Sequence, residues 1–95
     1  SNREQLFVVV QLVDSRGVEA HDVKTYQWLS HIGHSPIIVA TKVDKIKRSE
    51  RNTCLTKLVQ SFELSEASQV IFYSAKTHEG RIELWKAMRE KREAA

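Results

Sequence analysis

The sequence lacks the features that membrane, fibrous and disulfide-stabilised proteins need. Cys54 is the one cysteine, which excludes a disulfide within the chain and is typical of a reducing compartment, so we expect a cytoplasmic protein. No apolar run approaches the roughly 18 residues of a membrane span, and the start does not resemble a signal peptide, so we expect no membrane partner. One proline and three glycines in 95 residues exclude collagen-like and low-complexity chains.

What is present is typical of one small soluble domain. Hydrophobic residues make up 41% of the chain and charged residues 28%, and 95 residues leave room for a single modest core. We therefore interpret residues 1–95 as one domain, in which residues 1–5 are the remnant of an expression tag and the end of a preceding helix. The net charge of +3 is mild, so a nucleic-acid role would depend on local clusters. Two basic clusters exist, and solvated faces are their simpler interpretation: Lys45, Lys47, Arg48 and Arg51, and Arg81, Lys86, Arg89, Lys91 and Arg92.

Three short apolar runs, at residues 6–13, 36–40 and 70–73, predict strands. They are rich in β-branched and aromatic residues and nearly continuous, as strands covered on both faces are. Elsewhere apolar residues recur every three or four positions, which predicts one helix that ends at Gly33, one capped by Ser49 and one that begins near Glu79. Strands separated by helices should lie parallel. The expected fold is α/β in βαβαβα order, with three layers and a parallel sheet of three strands.

Large apolar residues on the predicted helices are assigned to the core. Trp28 and Trp85 share helical spacing with leucine and isoleucine, so we interpret both as core anchors, with partner docking as the alternative. Ile82 on the third helix is expected to point inward with Trp85. The helices would then pack their tryptophan-bearing faces against the sheet.

Two charged residues follow the middle predicted strand, at the end where ligand-binding loops gather in parallel sheets. Lys42 and Asp44 belong to Thr41-Lys42-Val43-Asp44, the TKVD motif. Guanine presents two neighbouring donors, N1–H and the 2-amino group, and one carboxylate can accept both. Asp44 could therefore recognise guanine and reject adenine, while the aliphatic stem of Lys42 could lie across the base. Taken alone, the same two charges fit a solvated turn equally well.

The loop after the third predicted strand offers complementary groups. Ser74-Ala75-Lys76, the SAK motif, could present the Ala75 amide to guanine O6 and place Lys76 over the other face of the ring. The hydroxyls of Thr41 and Ser74 could tie the two motifs together. Nucleotide binding is therefore predicted for six residues: Thr41, Lys42, Asp44, Ser74, Ala75 and Lys76.

The two motifs resemble the NKxD and SAK base-recognition motifs of P-loop GTPases, and they occur in that family's order. A threonine at the first position, together with the segments at residues 12–16, 39–46 and 79–85, resembles the EngB/YihA (YsxC-like) type of ribosome-assembly GTPase. The resemblance covers essentially the whole chain and implies half of a Ras-like P-loop GTPase domain. It implies a guanine nucleotide, GTP or GDP, as ligand. For the parent protein it implies GTP hydrolysis and an rRNA or ribosomal-subunit partner, for which residues 45–51 would be a basic contact.

The phosphate-binding half of such a site is missing from the sequence. That half needs the pattern G-x-x-x-x-G-K-[ST], which does not occur among these 95 residues. In the family this element precedes the two base motifs, so the chain resembles the C-terminal half of a GTPase domain. We expect no catalytic residue, no metal ligand and no cofactor in this chain, with Mg²⁺ bound only together with the N-terminal half. Hydrolysis by the chain alone is not expected, and nucleotide binding should be weak.

The first predicted strand leads to a second hypothesis. In a half domain, the apolar strand at residues 6–13 would have one unpaired edge, and such an edge favours pairing with another chain. We therefore expect self-association through residues 6–13. The alternative function is a non-nucleotide protein- or RNA-interaction module that uses this edge and the basic faces.

Overall fold

The computed structural model describes residues 8–94 and has the α/β architecture that the sequence predicts. The main elements are β1 (Val10–Asp14), α1 (Ala20–His31), β2 (Ile37–Thr41), α2 (Arg51–Phe62), β3 (Val70–Phe72) and α3 (Arg81–Ala94). Short 3-10 turns lie at Val43–Lys45, Arg48–Glu50 and Ala67–Gln69. The predicted βαβαβα order is confirmed.

The strands form one parallel sheet in the order β1-β2-β3. In the register, Val10 of β1 is opposite Ile37 of β2, and Ile38 of β2 is opposite Val70 of β3. β2 is central, and its residues 37–40 are all buried. This burial explains the unbroken apolar run in β2, because side chains on either face of the strand meet a helix layer.

Helices cover both faces of the sheet, which gives the three expected layers. α1 and α2 lie on one face, where Ile38 and Phe62 belong to the larger core cluster and Tyr26 packs against it. The rings of Tyr26 and Phe62 meet edge to face with their centroids 5.3 Å apart. The other face carries α3 over a smaller cluster: Ile37, Val39 and Ile71, with Leu84, Ala87 and Met88 against them.

Three large apolar side chains that the sequence assigns to the core lie on the surface. Trp28 is 59% exposed, Trp85 65% and Ile82 77%. The assignment was wrong because helical spacing does not determine which part of an apolar stripe faces the sheet. α3 packs through Leu84 and Met88, and the 3.6-residue period places Ile82 and Trp85 on another side of that helix. Within residues 8–94, no helix combines the length and apolar character needed to cross a bilayer.

Two of the predicted helix starts also differ from the structure. α2 begins at Arg51, and Ser49 lies in the preceding 3-10 turn, so it does not cap the helix. α3 begins two residues after Glu79, directly behind Gly80, which has a φ of +86°. A Cβ at Gly80 would lie 1.9 Å from the carbonyl oxygen of Phe72. A glycine is therefore required where the chain turns from β3 into α3.

β1 is shorter than the predicted strand at residues 6–13. It begins at Val10, while residues 6 and 7, like residues 1–5 with their tag interpretation, lie outside the described residues. Within the described range, no strand pairs with the outer edge of β1. Leu12 of this strand is 64% exposed. Self-association through this edge stays a prediction.

Candidate functional site

The TKVD and SAK motifs lie side by side beyond the carboxyl ends of β2 and β3. The amide of Tyr73 donates to the carbonyl of Ala40 at 2.9 Å, and the amide of Val43 donates to the carbonyl of Tyr73 at 3.1 Å. The parallel pairing of β2 with β3 thus continues into the two loops. It brings together residues that are about 30 positions apart in the sequence.

A buried hydroxyl joins the two motifs. Ser74 Oγ donates to Asp44 Oδ1 at 2.8 Å, and it accepts hydrogen bonds from the amides of Lys76 and Thr77 at 3.2 and 3.1 Å. The Ser74 hydrogen bond is the main reason that the pKa of Asp44 lies below its usual 3.8, and the positive charges of Lys45 and Lys76 act in the same direction. Asp44 is therefore an ionised acceptor at neutral pH.

The SAK motif leaves one backbone donor without a partner. The amides of residues 74 and 76–79 all donate to groups within the loop. The Ala75 amide donates to none of the groups in residues 8–94, and Ala75 is exposed. The structure thus places a donor that is open to a ligand on the loop that holds Asp44.

Lys42 and Lys76 are the exposed cations of the two motifs. Lys42 has a left-handed backbone, with φ 60° and ψ 35°. This conformation costs a non-glycine residue about 1–2 kcal/mol. Strained residues of this kind cluster at ligand sites, where surrounding structure holds them in place. The TKVD turn therefore has the backbone character of a site.

Thr41 ties the TKVD motif to β1, whereas the sequence analysis expects it to reach the SAK motif. Its Oγ1 donates to the carbonyl of Val13 at 3.1 Å. Its own carbonyl accepts the amide of Ser15 at 3.0 Å. Thr41 thus fixes the end of β2 to the end of β1, and Ser74 provides the hydroxyl link between the two motifs.

An open cavity of about 640 Å³ lies against these groups. Its volume is in the range of small-molecule sites, roughly 300–1,000 Å³. Five of the six predicted nucleotide-binding residues line it, and the sixth, Ser74, holds Asp44 from the buried side. The lining consists of Leu12, Val39, Thr41, Lys42, Asp44, Lys45, Tyr73, Ala75, Lys76 and Leu84.

The loop after β1 closes on itself. Asp14 Oδ1 accepts hydrogen bonds from the Arg16 amide at 2.9 Å and from Nε at 3.0 Å, and Asp14 Oδ2 accepts one from Nη2 at 2.8 Å. These bonds from Arg16 lower the pKa of Asp14 from 3.8 to about 2. Within residues 8–94, the side-chain hydrogen bonds of Arg16 go to Asp14 and none goes to the TKVD or SAK motif. Asp14 chiefly, and the charge of Asp44 as well, raise the pKa of Arg16.

Two residues that support the site do not stand out in the sequence. Arg51 is expected on a solvated basic face and Glu79 at a helix start, but both Nη atoms of Arg51 bind the Glu79 carboxylate. The Arg51 side chain is only 19% exposed. The two residues are 28 positions apart, so no local spacing predicts the pair. The one sequence feature that could indicate the pair is the acidic residue Glu79 shortly after the SAK motif.

Known proteins match nearly the whole chain, although no family model does. Three relatives carry the name "Probable GTP-binding protein EngB". The Limosilactobacillus reuteri protein is 35% identical over 92 residues, which cover 96% of this chain and 47% of the relative. The Pelotomaculum thermopropionicum protein is 42% identical over 83 residues, 86% of this chain and 42% of the relative. The Bacillus subtilis protein is 32% identical over 91 residues, 95% of this chain and 47% of the relative.

The chain spans about half the length of these relatives. The three identities lie between 32% and 42% and cover 86–96% of this chain. The resemblance inferred from the two motifs is thereby confirmed: the chain is an EngB-type sequence that corresponds to the C-terminal part of the EngB GTP-binding proteins.

Proposed function

We propose that the chain carries the guanine-recognition part of a GTP-binding protein, with Asp44 accepting hydrogen bonds from guanine N1–H and the 2-amino group. The observation that carries this proposal is the 2.8 Å hydrogen bond from Ser74 to Asp44, which joins the two motifs beside an open cavity. The Ala75 amide, which has no partner within residues 8–94, would donate to guanine O6. An ionised carboxylate beside an amide N–H matches the hydrogen-bonding edge of guanine and mismatches that of adenine.

The two lysines and the apolar lining would hold the plane of the base. Lys42 and Lys76 extend from different motifs, and their aliphatic stems could cover opposite ring faces while the ammonium groups stay in water. Leu12 and Val39 give the cavity apolar surface. Thr41 would act indirectly, because its hydrogen bond to Val13 fixes the start of the TKVD motif.

Binding by this chain is expected to be weak, because these residues would contact only the base and sugar. A nucleoside of about 20 heavy atoms at ~0.3 kcal/mol per atom gains about −6 kcal/mol, which corresponds to a Kd of tens of micromolar. Tight binding of GTP would require phosphate contacts from elsewhere in the parent protein.

The function of the whole protein follows as a proposal from the family resemblance of the two motifs. We infer a cytoplasmic parent protein that hydrolyses GTP and assists ribosome assembly, with rRNA or a ribosomal subunit as partner. Lys45, Lys47 and Arg48 are exposed beside the site and are the candidate contacts for RNA phosphates.

The Mg²⁺ that such a GTPase uses does not fit the residues near this site. Within residues 8–94, no three histidine, cysteine, aspartate or glutamate side chains are close enough to hold a metal ion. Near the cavity, the carboxylate of Asp14 accepts three hydrogen bonds from Arg16, and the carboxylate of Asp44 is the proposed guanine acceptor. We therefore assign Mg²⁺ to the other half of the parent protein and derive no hydrolytic step from this chain.

A second function, an interaction module that binds protein or RNA, is favoured by the exposed apolar Leu12 on β1. The outer edge of this strand pairs with no strand in residues 8–94. An edge of this kind can add a strand from another chain, including a second copy through residues 6–13. This function needs no guanine, so a nucleoside titration separates it from the first.

The decisive variant is Asp44→Asn, compared with Asp14→Asn as the matched exchange at the end of the neighbouring strand. Guanosine affinity is expected to fall about 100-fold for Asp44→Asn, because a charged double acceptor is lost, and less than about threefold for Asp14→Asn. Inosine, which lacks the 2-amino group, should bind the unaltered chain about 10-fold more weakly than guanosine. Calorimetry or NMR titration measures all three affinities.

An unchanged guanosine affinity in Asp44→Asn, or an equal loss in both variants, would contradict the assignment of Asp44. If neither guanosine nor adenosine binds the unaltered chain, the interaction-module hypothesis is favoured.

A further inference from the structure

Arg51, the first residue of α2, directs its guanidinium toward Glu79 and toward the carbonyl of Val43 in the TKVD motif. Both Nη atoms bind the carboxylate of Glu79, and the longer of these contacts is 3.1 Å. Nη2 also reaches the carbonyl of Val43 at 3.5 Å, and the guanidinium carbon lies 6.0 Å from the centre of the Phe72 ring. The ion pair lowers the pKa of Glu79, chiefly through the hydrogen bonds from Arg51. A two-pronged arginine–carboxylate pair fixes orientation as well as distance.

The contacts of Arg51 close a ring that includes the candidate guanine contact. Val43 lies next to Asp44 in the TKVD motif, and the carbonyl of Glu79 accepts the amide of Ser74 at 3.0 Å. Ser74 in turn donates to Asp44. The path from Arg51 through Glu79, Ser74 and Asp44 back to Val43 therefore connects the two motifs. Each member of the ring limits the movement of the next.

The placement of Arg51 is not that of a surface cation. Its side chain is 19% exposed, and its Nε is buried without a hydrogen-bond partner among residues 8–94. A buried donor without a partner is unfavourable, so the contacts of the two Nη atoms must outweigh it. The neighbouring cations Lys45, Lys47 and Arg48 are exposed. Arg51 is thus the one cation of residues 45–51 that is directed into the fold.

We propose that the Arg51–Glu79 ion pair is a positioning device that sets the spacing between the TKVD and SAK motifs, and through it the selectivity for guanine. The inference rests on the proposed function, because it concerns the same site. Neither residue would touch the nucleotide. Without the pair, the carboxylate of Asp44 and the amide of Ala75 would remain present but would no longer be held at the separation that a guanine edge requires.

The test is a double-mutant cycle on guanosine and adenosine binding, with Arg51→Met, Glu79→Gln and the double variant. Each single variant is expected to lose about 10-fold in guanosine affinity with little change for adenosine, and the double variant should lose no more than either single variant. Glu83→Gln, the same charge change one turn into α3, is the matched control. Thermal unfolding of every variant identifies a temperature at which all of them are folded, and binding is measured there.

The amide spectrum of the nucleotide-free protein supplies a readout that stability alone does not affect. Glu79→Gln should shift the amide signals of Val43 and Asp44, and Glu83→Gln should not. A folded Glu79→Gln variant that binds guanosine as tightly as the unaltered chain would overturn the positioning role and leave the proposed function standing. Absence of guanosine binding by the unaltered chain would overturn both, so the two failures are distinguishable.

Discussion

The loop after β1 and the loops after β2 and β3 lie at the same end of one parallel sheet, yet they differ in how their polar groups are satisfied. In the β1 loop, Asp14 pairs with Arg16, two residues away. In the other two loops, Asp44 pairs with Ser74, 30 residues away. Sheet topology therefore brings three loops together, and the side-chain hydrogen bond from Ser74 to Asp44 joins two of them into a shared site.

The contrast also concerns what remains available to a ligand. The Asp14 carboxylate receives three hydrogen bonds from Arg16 and has little capacity left. The Asp44 carboxylate receives one side-chain hydrogen bond within residues 8–94, and the partnerless amide of Ala75 lies on the adjoining loop. A loop whose charges are satisfied internally stabilises a turn, whereas a loop with spare donors and acceptors can bind a ligand.

The largest effect on stability should come from a glycine exchange in the loop after β3, compared with a glycine exchange in the loop after β1. Gly80→Ala places a Cβ 1.9 Å from the Phe72 carbonyl oxygen at a φ of +86°, so we expect a loss of at least about 2 kcal/mol in the free energy of unfolding. Gly17→Ala in the β1 loop meets no atom within 4 Å and should change stability by less than about 0.5 kcal/mol. Urea denaturation measures both. Equal stability of the two variants would show that the turn into α3 is not constrained as described.

A serine exchange should have the next largest effect. Ser74→Ala removes the donor to Asp44 and the acceptor for two amides, so we expect a loss of about 1–2 kcal/mol in unfolding free energy and about 10-fold in guanosine affinity. Ser15 in the β1 loop is equally buried, but its hydroxyl has no partner within residues 8–94. Ser15→Ala should therefore leave both quantities nearly unchanged or raise stability slightly. If Ser15→Ala lowers the unfolding free energy or the guanosine affinity more than Ser74→Ala does, the comparison between the loops is wrong.

The smallest effect concerns the titration of the β1 loop. Arg16→Met removes the side-chain hydrogen bonds from Arg16, the largest cause of the lowered Asp14 pKa, and leaves the bond from the backbone amide of residue 16, so this pKa should rise from about 2 part of the way toward 3.8 while guanosine affinity stays within about twofold. Because the folded-state pKa is depressed, the Asp14–Arg16 pair stabilises the fold above about pH 4, and this contribution is lost as the pH falls through about 2. The unfolding free energy of the variant should depend less on pH in this acid range. NMR titration of the Asp14 carboxyl measures the change, and a midpoint that stays near 2 would contradict the assigned cause.

The parts of the fold that follow from short-range patterns could be predicted from the sequence. The apolar run of β2 predicts a central strand, and the alternation of strands and helices predicts the parallel order. The exposed Trp85 shows what the helical period cannot predict. The period identifies an apolar stripe, but packing against the sheet determines which residues of that stripe are buried. The Arg51–Glu79 pair shows another limit, since 28 residues separate its members and only the folded chain brings them together. Thr41 shows a third limit, because the sequence predicts its place at the end of β2 but does not determine that its hydroxyl bonds to β1.

The most direct test of the central claim is a map of backbone amide shifts during titration with guanosine and, separately, adenosine. The account predicts that guanosine shifts the amides of Lys42, Asp44 and Ala75, leaves those of the β1 loop in place, and saturates at a Kd of tens of micromolar, a range set by about −6 kcal/mol of base and sugar contacts. Adenosine should leave all of them unchanged. Shifts confined to the β1 loop, or equal responses to the two nucleosides, would contradict the assignment of guanine recognition to Asp44.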